Sequence, residues 1–271
     1  MAATFPVRFP FRALRIQTGV IAALVLREVK TRFGSSGAGW IWLLFEPLLQ
    51  CLFYVALYEF IRSRVSPMRG VDVGEFMLSG IIPWLFYMRT ATQVMHSIES
   101  NRALLVYPQV TPLDIALART VLEAMIMYVV VFFFLLMQWF VLGAIVVGDL
   151  LGILTACLCL SILGLGVGLT VMALDHFIPG LLMVFNLINR LLYFMSGIFF
   201  TLAAVPAGYR SYVDWNPLLQ GVEWARASYF DNVSGEGLNL PLLALAMPAL
   251  LALGVLAERT TREVAKKVST S

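Results

Sequence analysis

Three arginines interrupt stretches that are otherwise apolar, and a guanidinium set among hydrocarbon side chains needs either a protein partner or a bound anion. Arg190 is the deepest of them, and Asn186, Asn189, Tyr193 and Ser196 recur around it at steps of three and four, which makes one polar stripe on a helix. A second stripe, Glu46, Gln50, Tyr54 and Tyr58, repeats every four residues. Arg89, Arg119 and Glu123 lie a few residues inside their apolar runs, at the depth of Glu46. Read as a ladder, Arg89, Arg119 and Arg190 suit phosphate or sugar-acid carboxylates, because the guanidinium fork matches both groups. That chemistry is anion binding. A packing reading stands beside it: the stripes hydrogen-bond to each other across a bundle, and Arg119 and Glu123, one turn apart, neutralise each other.

Bond-making chemistry has little to work with. A P-loop needs lysine directly after glycine, and none of Lys30, Lys266 and Lys267 follows one. His96 and His176 stand alone without H-E-x-x-H or paired cysteines, so no metal site is expected, and no G-x-S-x-G elbow or D-x-D pair is present. Cys51, Cys157 and Cys159 sit inside apolar runs and read as packing residues. The net charge of +3 reads as basic residues gathered at helix ends rather than as a nucleic-acid surface.

The elements that must position these residues are membrane helices. With 60% hydrophobic and 13% charged residues, the chain carries more apolar surface than a soluble core can hide. Six runs, about Trp40–Ile61, Phe76–Met95, Leu113–Phe140, Leu150–Leu174, Gly180–Phe200 and Leu240–Ala257, each approach the length a bilayer requires. They predict an all-α polytopic fold, one domain over residues 1–271 with six spans between 40 and 257 and a tail at 258–271. Phe11–Phe33 carries arginines and a lysine around an apolar centre and predicts a helix lying in the interface. A Gly/Ser hinge and the boundary tryptophans Trp40 and Trp42 follow it. Val20–Leu26 is short and followed by charges, which does not suggest a removable signal peptide. With both termini in the cytoplasm, eleven basic residues fall inside and five outside, Arg62, Arg64, Arg69, Arg210 and Arg226.

Between spans, Thr201–Asn239 is broken by Pro206, Gly208 and Pro217 yet rich in aromatics, which predicts short, partly re-entrant pieces outside the membrane or an ordinary loop anchored by Tyr209, Tyr212 and Trp215. The inner loop Glu99–Asp114 is apolar in its middle, Leu104 to Tyr107, and predicts either a docking surface or a helix flat on the bilayer. Gly152, Ala156, Gly164 and Gly168 recur at four or eight and predict close helix packing.

Several of these segments together carry a resemblance: L-R-E-V-K-T-R-F-G from Leu26, E-P at Glu46, S-G-I-I-P from Ser79, A-R-T-V-L-E from Ala118 and W-N-P-L from Trp215. The chain resembles the ABC-2-type permease subunit of bacterial polysaccharide ABC exporters, most of all the capsular branch, over about Leu24 to Arg262. The resemblance implies a homodimer in the bacterial inner membrane with two cytoplasmic ATP-binding subunits. ATP and Mg would sit on those partners, and this chain would hold no cofactor. It further implies a periplasmic adaptor, an outer-membrane exporter and an acidic, lipid-linked polysaccharide as cargo. Under it, the substrate pathway draws on Glu46, Gln50, Tyr54, Tyr58, Trp84, Tyr87, Arg89, Arg119, Arg190 and Tyr193. Coupling to the ATPase falls to Arg102, Leu104, Leu105 and Tyr107, and an outer gate to Tyr209, Tyr212 and Trp215. O-antigen and teichoic-acid permeases share this architecture. An envelope-synthesis transferase using Glu123 or His96 as base is the reading from another class.

Overall fold

A computed structural model describes residues 9–33, 39–61, 71–101, 104–105, 110–143, 145, 147–230 and 237–270. Every regular element among them is helical: α1 Phe9–Phe33, α2 Gly39–Ile61, α3 Val73–Met95, α4 Ser97–Ser100, α5 Pro112–Leu142, α6 Leu150–Asp175, α7 Leu181–Met195, α8 Ala207–Val213, α9 Pro217–Tyr229 and α10 Leu240–Thr270. Three stretches are long and apolar enough to cross a membrane, Pro112–Phe140, Leu150–Asp175 and Leu240–Thr261. α2 and α3 have 23 residues each, with Pro47 and Pro83 inside, whereas α7 has 15 and is shorter than the run Gly180–Phe200 from which it was expected.

Helix α6 is the axle, because it is apolar on all sides and carries glycine where neighbours come closest. A Cβ on Gly164 would lie 2.6 Å from Tyr87 O, and one on Gly168 would lie 2.8 Å from Ala91 O, so both residues bring α6 against the backbone of α3. On another side Gly166 and Gly254 let α6 and α10 touch, a Cβ on Gly254 falling 2.6 Å from Gly166 O. The small-residue pattern in this run is therefore a packing device.

Local chemistry sets the helix ends. Thr111 Oγ1 accepts from Asp114 N at 3.2 Å while the Asp114 carboxylate accepts from Thr111 N at 2.9 Å, a reciprocal cap that starts α5 at Pro112. The helix stops at Gly143, whose φ of 72° a side chain would oppose. Asn216 caps α9, its Oδ1 accepting from Leu218 N at 3.0 Å, and Pro217 opens that helix. Most of α9 is buried, against α6 and α3.

Candidate functional site

Helix α1 reaches the bundle through charge. Arg32 donates from Nη1 to Glu123 Oε1 at 2.6 Å and from Nη2 to Gln93 Oε1 at 2.8 Å. Glu123, with its side chain 1% exposed, also accepts from Arg89 Nε at 3.1 Å. Arg119 donates to Glu28 Oε1 at 2.7 Å and to the Gln93 carbonyl at 2.9 Å. Glu46 approaches Arg89 Nη1 at 3.7 Å from α2. Arg27 donates to Asn101 Oδ1 at 2.9 Å, which ties the start of the inner loop to the same cluster. Burial works to raise the Glu28 pKa, but the hydrogen bond and charge of Arg119, the Arg32 charge and Asn101 outweigh it and hold the group below the usual carboxylate range.

Arg119 and Glu123 are thus in one cluster without being each other's partner. The turn-apart spacing on α5 points Arg119 to α1 and Glu123 to both α1 and α3. Arg89 and Arg119 are engaged by carboxylates, and Glu46 belongs to the same cluster.

Farther along α3, Trp84 and Tyr87, each 1% exposed, pack between helices. Tyr87 donates its hydroxyl to Asn189 Oδ1 at 3.2 Å, and Trp84 meets the Tyr193 ring edge-on at 5.8 Å between centroids. The polar stripe on α7 is consequently divided. Asn189 and Ser196 are buried, whereas Arg190 is exposed among Leu187, Leu191 and Phe194, and makes no ion pair among the described residues. Gln50 is half-buried on α2, and the side chains of Tyr54 and Tyr58 lie outside the described residues.

A second buried ion pair holds the segment between α7 and α10. Arg226, fully buried, donates from Nη1 to Glu223 Oε2 at 3.0 Å and to Phe200 O at 3.2 Å, from Nε to Ser79 Oγ at 3.3 Å, and lies 4.3 Å over the Phe76 ring. Glu223 in turn accepts from Leu202 N at 3.3 Å. Gly80 leaves the room, since a Cβ there would stand 2.6 Å from Arg226 Nη2. The count of basic residues gives Arg226 no partner; the signal that would mark one is the glutamate three residues earlier on the same helix. Tyr209, Tyr212 and Trp215 remain 66–69% exposed beyond this anchor.

The loop between α4 and α5 differs from a bare apolar patch. Leu104 and Leu105 are half-buried and pack with Val20, Ile21 and Val25 of α1 against Leu24, Ile115 and Ala118. Arg102 and Tyr107 lie outside the described residues.

The five short segments quoted from the sequence now have physical roles. Arg27, Glu28 and Arg32 of the first, Glu46 of the second, and Arg119 and Glu123 of the fourth build the inner cluster. Ser79 and Gly80 of the third receive Arg226, and Asn216 of the last caps the helix that carries it. Residues 19–230, which include both clusters, match the ABC-2 type transporter family. The chain belongs to that family. Over 248 residues it is 31% identical to the polysialic acid transport protein KpsM of Escherichia coli, covering 92% of this chain and 95% of that one. It is 32% identical over 257 residues to the capsule polysaccharide export inner-membrane protein CtrC of Neisseria meningitidis serogroup A, covering 90% and 95%. With the capsule polysaccharide export inner-membrane protein BexB of Haemophilus influenzae it shares 27% identity over 250 residues, 90% and 91% of the two chains. This ABC-2 transporter chain therefore aligns with those proteins over about nine-tenths of its length.

Proposed function

We propose that the chain is the transmembrane subunit of an ATP-driven exporter that moves a lipid-linked, acidic capsular polysaccharide across the bacterial inner membrane. The observation that carries this is the near-complete alignment with chains named for polysialic acid transport and capsule polysaccharide export. In this reading α2, α3, α5, α6, α7 with the turn after it, and α10 make six crossings, α1 lies in the inner interface, and α8 and α9 return part-way from the outside. Both termini are cytoplasmic, which the eleven-to-five distribution of basic residues supports.

Two copies pair through α2 and α7. Support comes from large exposed side chains on both helices, Leu49, Leu52 and Phe53 on one and Met183, Leu187 and Leu191 on the other. Arg190 then faces the passage between copies and meets acidic groups of the cargo, with Tyr193 and the α2 stripe beside it. Two cytoplasmic ATPase subunits, holding ATP and Mg, dock at the inner loop. Their motion reaches the bundle through the packing of Leu104 and Leu105 on α1 and through the Arg27–Asn101 hydrogen bond. A periplasmic adaptor and an outer-membrane exporter complete the route. A transferase using Glu123 as base is poorly supported, since that carboxylate is occupied by two arginines.

The test is co-expression with the cytoplasmic ATPase subunit of a capsule exporter in a capsule-deficient host. Surface polymer and a stable complex are the expected result, with Arg190→Leu lowering export while the complex survives. A purified chain that turns over a sugar-nucleotide donor unaided, or a complete set that exports no polymer, would overturn the proposal.

A further inference from the structure

We infer that Arg89 is an oxyanion-binding site held closed by Glu46. The inner cluster contains four guanidinium groups, Arg27, Arg32, Arg89 and Arg119, against three carboxylates, Glu28, Glu46 and Glu123, which leaves one positive charge in excess. The carboxylates are not equally committed. Glu28 and Glu123 make hydrogen bonds of 2.6–3.1 Å and are buried, whereas Glu46 stands 3.7 Å from Arg89 Nη1, beyond hydrogen-bond range, with 57% of its side chain exposed.

Arg89 itself is fixed. Its Nε is held by Glu123 at 3.1 Å, so the outer edge formed by Nη1 and Nη2 points away from that anchor, and Nη2 has no acceptor among the described residues. Such an edge is the half of a guanidinium fork that takes two oxygens of a phosphate or carboxylate at once. An arriving oxyanion would make two short hydrogen bonds where Glu46 makes none. Rotation of the exposed Glu46 side chain into water opens the site without moving a helix, and Arg32 and Glu123 keep the floor in place.

The depth suits the ligand. Arg89 lies six residues before Met95 at the inner end of α3, about 9 Å along the axis, and Glu46 lies seven residues into α2. Two sources offer such an oxyanion, an anionic lipid headgroup and an acidic group at the lipid end of a polymer. The site depends on the export reading only for the second of these sources.

The experiment uses the full chain in nanodiscs of neutral phosphatidylcholine. In one arm phosphatidylglycerol is titrated and bound lipid is counted by native mass spectrometry; in the other an oligogalacturonate is titrated by calorimetry. Glu46→Gln removes the competing charge and should tighten binding about two- to fivefold, the range expected for releasing an exposed ion pair. Combining it with Arg89→Gln should abolish the gain, and combining it with Arg89→Lys, which keeps the charge but not the fork, should remove most of it. A gain confined to phosphatidylglycerol assigns the site to lipid headgroups, and one confined to the oligosaccharide assigns it to the cargo. Unchanged or weaker binding by Glu46→Gln in both arms overturns the inference, as does a gain that survives loss of Arg89. Neither arm uses the ATPase or transport, so failure of the export reading would be seen separately, in absent polymer.

Discussion

Replacing Glu123 by glutamine tests whether the ion-pair cluster at Glu123 holds α1 to the bundle. The substitution keeps the shape and one hydrogen bond but leaves Arg32 and Arg89 without the carboxylate that both contact, at 2.6 and 3.1 Å. Breaking a buried ion pair from one side costs about 3–5 kcal/mol, because the remaining charge stays desolvated. The Arg32 and Arg89 side chains are 22% and 15% exposed, and Glu28 and Glu46 still approach them, so the lower end of that range applies, about 3 kcal/mol. For a chain of this size the expected fall in melting temperature is on the order of 5–10 °C, measured on the purified protein in detergent by intrinsic fluorescence. Adding Arg89→Gln to Glu123→Gln should recover part of the loss, since one of the two unneutralised charges is gone. A single variant that melts within about 1 °C of wild type, or a double variant that is worse by the full sum of its parts, would refute the reasoning.

Three further outcomes follow from the same geometry. Arg226→Met should destabilise the outer segment by about 3–5 kcal/mol, because Glu223 keeps its buried carboxylate without a cation, and Glu223→Gln in the same chain should restore part of it; protease cleavage between α8 and α9 reads the difference. Gly168→Ala should cost about 1–3 kcal/mol by forcing α6 from Ala91 O and Val94, whereas Gly208→Ala, which meets nothing within 4 Å, should leave the melting temperature unchanged. Because the Glu28 pKa is lowered in the folded chain, its contribution is complete above the unfolded carboxylate pKa of about 4.3 and is lost as pH falls through the folded value. A melting series from neutral to acid pH should therefore show a shallower acid limb for Glu28→Gln than for wild type.

Hydropathy and spacing were enough to establish an all-helical membrane chain, because a bilayer demands long apolar runs whatever lies next to them. The stripe of small residues on α6 was legible for a similar reason: close approach needs a missing side chain, and the need is written at the residue itself. Partnership between charges was not legible. Arg119 and Glu123 have the spacing of a pair on one helix, yet each finds its partner on another, because residues 91 positions apart in sequence are brought to within 2.7 Å only by the docking of α1 on α5. The polar stripe on α7 reads as one face, and the packing of Tyr87 against Asn189 divides it into a buried and an exposed half. Arg226 counts in the sequence as an outer-loop charge and is fully buried, and Leu104 and Leu105 read as a bare patch and rest on α1. In each case the sequence set which groups must be satisfied, and tertiary structure decided by whom, since the energy of an ion pair or an apolar contact depends on distance and desolvation that no single helix defines.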